Sequence, residues 1–413
     1  MHQIIFYLII AFLLFDYVIE QILDYLNSTR RNSKLPEKLK GIYSEEKYAK
    51  SQKYNKINQR FGFLTSTFNL LLILGFLYFK GFAFVDNIAR SISDNSIVIS
   101  LLFFGIIMFA SDIINIPFSI YQTFVIEDKF GFNKTTPKTF ILDKIKGWVI
   151  AAIIGGGILS LIVWFYQLTA DMFWIYTWLL ISVFMIFMTM FYTSLIVPLF
   201  NKLKPLEDGE LKKSIFNFCK KTDYTLDNIF IIDGSKRSTK ANAYFSGLGK
   251  KKKIILFDTL LDKLTHNEIT AVLAHEIGHY KKKHTLVSII LSILQTGITL
   301  YILSLLVGNP ALSEALSAEQ TGFHLGLVAF GLLYSPISTI LGLGMNIFSR
   351  KNEYEADKFA GEYLDPNSLI DALKKLSVNN LSNLTPHPLY VFFNYSHPPL
   401  LKRIEALDKI TNN

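Results

Sequence analysis

The chain has 413 residues, 51% of them hydrophobic and only 18% charged, against about 25% charged in a typical soluble domain. That is more apolar surface than one water-soluble core uses, which excludes a disordered chain, a secreted disulfide scaffold and a simple cytosolic enzyme. The single cysteine, Cys219, excludes an internal disulfide and a Cys-rich zinc site. A net charge of +9 points to nucleic acid in a soluble protein, but no recognition module accompanies it; no nucleic-acid partner is expected, and the charge belongs to loops at a membrane.

Seven apolar stretches follow in chain order: residues 4–22, 63–82, 97–120, 148–167, 172–200, 286–307 and 323–348. Each comes near the roughly 20 residues that a helix needs to cross a bilayer. The first carries Asp16 and Glu20, the third Asp112 and Asn115. Such groups face either a polar interior between helices or the interface at helix ends. The loop after the first stretch is crowded with basic residues from Arg30 to Arg60, and the loop after the third holds Lys129, Lys134, Lys138, Lys144 and Lys146. The loops at 168–171 and 308–322 have no Lys or Arg. The positive-inside rule then predicts seven spans, with the N-terminus outside and the C-terminus in the cytosol. The positive charges follow the first apolar run, which reads as a signal anchor and not as a cleaved peptide.

Four regions result: 1–200 with five spans and basic cytosolic loops, 201–285 as a polar cytosolic segment, 286–348 with spans six and seven, and 349–413 as a polar C-terminal part. The two polar regions are expected to form one soluble domain closed over the helix ends.

Thr265-His266-Asn267-Glu268 has the capping-box pattern, so a helix starts there. Ten residues on stands His275-Glu276-Ile277-Gly278-His279, the H-E-x-x-H arrangement. Residues four apart share a helix face, so both imidazoles reach one ion while Glu276 is left to act on a water. Two histidines, one carboxylate and an open position describe catalytic zinc, Zn2+. Glu353 is the candidate third ligand. Asp357, four residues further on a helix, is the candidate acceptor for a ligand histidine. Glu355 is expected to point away into solvent, and His284, five residues after His279, to lie on another face and not to be a ligand. His2, His266, His324 and His387 lack partners at useful spacing. The chemistry is peptide hydrolysis: zinc polarises the scissile carbonyl and lowers the pKa of water, and Glu276 moves the proton from water to the leaving amine.

Residues Asn242, Ala243 and Tyr244 open a short strand that returns, after a Gly/Lys turn, as residues 253–258. An edge strand there binds an extended substrate by strand addition; a purely structural hairpin is the alternative. His397, in Ser396-His397-Pro398-Pro399, is either an oxyanion donor or a turn residue before a helix.

Taken in order, these motifs and several others resemble the CAAX prenyl protease 1 family of integral-membrane zinc endopeptidases. The resemblance runs through EDKFGFNK at 127–134, PLFNK at 198–202, SKRS at 235–238, NAYF at 242–245, FDTLL at 257–261, the H-E-x-x-H, SRKNEYEAD at 349–357 and YSHPPLL at 395–401. It implies an all-α integral membrane protein whose seven transmembrane helices enclose a water-filled chamber, with a cytosolic α+β gluzincin-type zinc metalloprotease domain facing it. By position it implies that His275, His279 and Glu353 bind zinc and that Glu276 is the base. It also implies that Asn242 lies on the substrate strand, and that His397 and Arg403 assist the oxyanion and order nearby carboxylates. The implied substrate is a peptide or protein, with a prenylated C-terminus from which three residues are removed; the implied surroundings are the lipid bilayer. The Lys/Asn/Ile bias looks bacterial, which implies the inner membrane and favours a quality-control protease like the heat-shock membrane protease HtpX as the alternative. A non-catalytic membrane scaffold is the third reading.

Overall fold

The structure, a computed structural model, describes residues 1–31, 35–224, 229–247 and 252–411. The first half is helical: α1 (His2–Thr29), α2 (Glu45–Tyr78), α3 (Gly81–Ile92), α4 (Ser96–Tyr121), α5 (Pro137–Ile150), α6 (Gly156–Thr169), α7 (Phe173–Leu195) and the short α8 (Val197–Phe200). There follow β1 (Leu203–Pro205), α9 (Glu210–Lys221), β2 (Ile229–Ile232), β3 (Ala243–Ser246), β4 (Lys253–Phe257), α10 (Asp258–Leu261) and α11 (His266–Lys281). The chain closes with α12 (His284–Leu306), α13 (Pro310–Ala315), α14 (Phe323–Leu333), α15 (Ser335–Tyr363), α16 (Pro366–Asn379), α17 (Pro388–Asn394) and α18 (Leu400–Thr411).

Five helical runs are long and apolar enough to cross a membrane: His2–Thr29, Glu45–Tyr78, Ser96–Glu127, Pro137–Phe200 and His284–Leu306. The pair α14 and α15, bent by 58°, makes a sixth. The molecule is a multi-pass integral membrane protein. The expected fourth and fifth stretches both lie in the 64-residue run Pro137–Phe200, which does not continue straight. At Ala170 φ is +43°, and the rings of Phe165 and Tyr176 lie 5.7 Å apart. Eleven residues of straight helix would separate them by about 16 Å, so the run folds back on itself. In the most apolar windows of these five runs, between 6% and 17% of the residues are buried in protein, so most side chains are accessible. Asp112, one of the charges expected inside a span, accepts hydrogen bonds from Lys144 Nζ at 2.7 Å and Trp148 Nε1 at 2.8 Å, an interhelical contact between α4 and α5.

The part outside the long apolar helices is built on a four-stranded sheet of order β1-β2-β4-β3, with β2 and β4 parallel and both outer pairs antiparallel. β3 is therefore an edge strand, as expected; the Gly/Lys turn at 248–251 lies outside the described residues. Ile254, Leu256, Leu260, Ile269, Leu273 and Leu407 form the core. Leu39 and Tyr43 from the first loop, with Ile126 at the end of the Ser96–Glu127 run and Phe130 just past it, pack into the same core. The catalytic part thus draws on residues before 200 as well as after. Arg237 ties the two together, with Nε and Nη2 on the Asp143 carboxylate at 2.7 and 2.9 Å and Nη1 on Asn201 Oδ1 at 3.0 Å. Lys240 does the same between Glu127, 2.9 Å away, and the ring of Phe132. At the other end of the helices His324 is not partnerless: its Nε2 meets the buried Asp86 at 2.7 Å, and Arg90 bonds the same carboxylate at 2.9 Å.

Candidate metal centre

The capping box expected at Thr265 is present: Thr265 Oγ1 accepts from Glu268 N, and Glu268 Oε2 accepts from Thr265 N at 2.8 Å. Lys375 bonds Glu268 as well, fixing the start of α11. The helix is then buried almost continuously to Gly278. α15 crosses it at Gly278, where a Cβ would stand 3.1 Å from the backbone Cα and O of Ala356 and 3.2 Å from Phe359 Cβ. Glycine lets the two backbones come this close without displacement, and the approach delivers Glu353, one turn before Ala356, to the two histidines.

Donor atoms of His275, His279 and Glu353 all lie within 4.8 Å of one another. His275 Nε2 and His279 Nε2 are 3.2 Å apart; Glu353 Oε1 is 3.2 Å from the second and Oε2 is 3.5 Å from the first. Glu353 is 4% exposed, and its Oε2 is buried with no hydrogen-bond partner among the described residues. A buried carboxylate oxygen without a hydrogen bond, opposite two imidazole nitrogens that face each other, fits a shared cation. Two nitrogens and one carboxylate are the donor set of a catalytic zinc with an open position.

Around these atoms stands a layer of charged partners. His275 Nδ1 lies 2.9 Å from Asp357 Oδ1, the contact expected of Asp357. Arg403 grips Asp357 with Nε at 2.8 Å and Nη2 at 2.6 Å, and its Nη1 is 3.4 Å from Glu353 Oε2. Burial opposes the charge on Arg403, but Asp357, Glu353 and Glu276 outweigh it and raise its pKa. Burial likewise opposes a proton on His275, and the hydrogen bond to Asp357 overrides it, so the pKa stands above the ordinary histidine value. Glu276, half-buried, follows His275 on the same helix.

His397 Nε2 reaches Glu353 Oε1 at 3.3 Å with its side chain 63% exposed, and Ser396 Oγ is 2.9 Å from its Nδ1. Arg350 on α15 holds this loop by donating to the carbonyls of Val391 at 3.2 Å and Tyr395. β3 packs against α11, with the rings of Phe245 and Tyr280 5.6 Å apart. At the head of that strand Asn242 is exposed, its Oδ1 accepts from Ala243 N at 2.9 Å and its carbonyl accepts from Phe257 N at 3.1 Å. Ala243 and Tyr244 are half-buried within β3. The structure thus brings His275, His279, Glu353, Asp357, His397 and Arg403 together, and sets the edge strand beside the helix that carries the histidines.

Two expectations need correction. His284 is buried and its Nδ1 is 3.0 Å from His279 Nδ1. Its Nε2 is 3.1 Å from Glu355 Oε2, so Glu355 does not simply point into solvent. Spacing along a single helix misplaced the face of His284 because the chain leaves α11 through a left-handed Lys283, φ +60°, and α12 starts in a new direction.

A family model described as CAAX prenyl protease N-terminal, five membrane helices, matches residues 24–202, and Peptidase family M48 matches residues 205–411. The chain is 36% identical over 417 residues to the CAAX prenyl protease 1 homolog of Dictyostelium discoideum, covering 98% of this chain and 97% of that one. It is 35% identical over 406 residues to the CAAX prenyl protease 1 of Saccharomyces cerevisiae, covering 92% and 89%. The crystal structure of S. mikatae Ste24p superposes with a TM-score of 0.92 at 36% identity, covering 98% of this chain and 99% of that one. With the metal centre and the membrane helices in the same order, the chain belongs to the CAAX prenyl protease 1 family of membrane metallopeptidases.

Proposed function

We propose that the protein is a zinc endopeptidase that removes the last three residues of prenylated C-a-a-X chains at the cytosolic face of its membrane. The observation that carries this reading is the convergence of His275, His279 and Glu353 within 4.8 Å beside the open edge of β3. His275, His279 and Glu353 would hold the zinc, which would supply Lewis-acid polarisation of the scissile carbonyl and lower the pKa of water. Glu276 is the base that takes a proton from the attacking water and passes it to the leaving amine. His397 donates to the oxygen that gains charge, and Ser396 fixes its ring. Asp357 orients His275, and Arg403 holds Asp357. The backbone of residues 242–244 extends the substrate as an added strand, aligning one peptide bond with Glu276.

The same reading takes the chain across the membrane seven times, N-terminus outside and protease part cytosolic. Counting the arms of Pro137–Phe200 separately and the bent pair once gives that number. The low burial within the spans supports a wall of helices around a chamber, since helices packed into a solid bundle bury one face each. The regions keep their limits at 200, 285 and 348, with loops before 200 completing the protease core.

The test is cleavage of a farnesylated C-a-a-X peptide beside its unprenylated twin by detergent-purified protein, with Glu276→Gln as blank. Cleavage of the prenylated peptide alone supports the proposal. Cleavage of both means general membrane proteolysis, and cleavage of neither by zinc-loaded protein overturns the substrate class.

A further inference from the structure

We propose that His284 is a positioning residue for the metal centre: it receives the proton-bearing face of His279 and passes the polarisation to Glu355. The inference rests on the zinc reading above. A neutral imidazole has one nitrogen with a lone pair and one with a hydrogen. If Nε2 of His279 gives its lone pair to the metal, its Nδ1 carries the hydrogen. The nitrogen facing that hydrogen is Nδ1 of His284, 3.0 Å away. It must therefore accept, which places the hydrogen of His284 on Nε2. That atom lies 3.1 Å from Glu355 Oε2, a carboxylate acceptor. One assignment of tautomers satisfies the whole chain, His279 to His284 to Glu355. With the hydrogen of His284 on Nδ1 instead, two N–H groups would meet at 3.0 Å and the Nε2 lone pair would face the Glu355 carboxylate at 3.1 Å.

The arrangement matches the other ligand. His275 donates directly to Asp357 at 2.9 Å. The carboxylate serving His279 sits two residues earlier on α15, half-exposed at 42%, and an imidazole bridges the extra distance. Both histidines of α11 are thereby oriented by carboxylates of α15, Glu355 two residues and Asp357 four residues after Glu353. His284 is 6% exposed and is the first residue of α12, a membrane-crossing helix. The protein thus sets one ligand's ring orientation from the end of a span, and His284 never touches the metal or the substrate.

A hydrogen-bonded partner of a ligand histidine is worth about 10- to 100-fold in metal affinity. Two variants separate positioning from packing. His284→Leu fills the space without an acceptor, whereas His284→Asn puts an oxygen near the position of Nδ1. Zinc dissociation constants are measured by competition with a chelating dye, and metal-free melting temperatures are recorded alongside. The expected result is a roughly tenfold or greater loss for His284→Leu, at an unchanged metal-free melting temperature, and recovery of most of it by His284→Asn. Equal zinc affinity for His284→Leu and wild type, or equal losses for the two variants, overturns the role. If His284→Leu does not fold, Glu355→Ala on the half-exposed face decides: weaker zinc supports the relay and unchanged zinc overturns it. Wild-type protein that holds no zinc overturns the metal reading itself, a result distinct from failure of the relay.

Discussion

Replacing Gly278 by alanine tests how α11 and α15 assemble the metal centre. The new Cβ would stand 3.1 Å from the Cα and O of Ala356, where ordinary contacts begin at 3.4 Å. The obstacle is backbone, so no side chain can swing away, and α15 must retreat by about 0.3 Å or more. Glu353 lies one turn from the contact and moves with it. Metal–ligand distances tolerate about 0.2 Å. Overpacking of this kind costs about 1–3 kcal/mol, and at about 1.4 kcal/mol per decade the upper part of that range weakens zinc by ten- to a hundredfold. Alanine also favours a helix over glycine by about 1 kcal/mol, a gain shared by the metal-free and metal-bound folds. The two terms largely cancel in the metal-free protein, where α15 can shift freely, and not in the loaded one, where Glu353 must reach the ion. The expectation is therefore a nearly unchanged metal-free melting temperature with zinc affinity down about tenfold, read by circular dichroism and chelator competition. Unchanged zinc affinity in a folded variant would refute the idea that this close crossing sets the position of Glu353.

Glu353→Ala should lower zinc content and peptidase activity together; atomic absorption showing normal stoichiometry would remove Glu353 from the ligand set. His397→Ala should cut kcat by about 10²–10³ with zinc retained, since one donor to a developing oxyanion is worth that much, and loss of metal in this variant would contradict the role. Arg403→Lys keeps the charge but gives up the paired grip on Asp357, so melting temperature and zinc affinity should both fall, by about 1–3 kcal/mol in stability; a variant melting like wild type counts against it. Because the pKa of His275 is raised, its proton competes with zinc from a pH above the ordinary value of 6.5 downward. Apparent zinc affinity should fall about tenfold per pH unit below that raised value for this one proton. In the metal-free protein the sign reverses: the His275–Asp357 contact stabilises the fold at lower pH and the gain is lost as pH rises through the raised pKa. A zinc affinity flat between pH 5 and pH 7 would count against this proton–metal competition, in an assay over about that range.

Much of this site was legible because its residues obey helix arithmetic. His275 and His279, or Glu353 and Asp357, need only be four apart to share a face, and Thr265 with Glu268 announces where the first helix starts. The pairing of β3 with β4 was legible for a similar local reason, two short strand patterns close together in the chain; that β3 lies at the edge depends on the order of the whole sheet. The fold-back in Pro137–Phe200 was legible too: the loop expected at 168–171 contains Ala170, φ +43°, where the run turns. What escaped depends on direction changes that no periodicity records. Measured on one continuous helix His284 faces away from His279, and the left-handed Lys283 brings it back within 3.0 Å. The inclusion of Leu39 and Ile126 in the protease core was hidden by their place in or beside basic loops, whose charge argues for the cytosolic side and says nothing of packing. At each of these points the chain turns, and the chemistry on either side of the turn becomes visible only once the turn is known. The loss is systematic. Sequence patterns find residues that act within one element, whereas a residue that meets those groups from a neighbouring element, as His284 does from α12, is joined to the site by tertiary structure alone, and Arg403 on α18 was placed there only by the family resemblance.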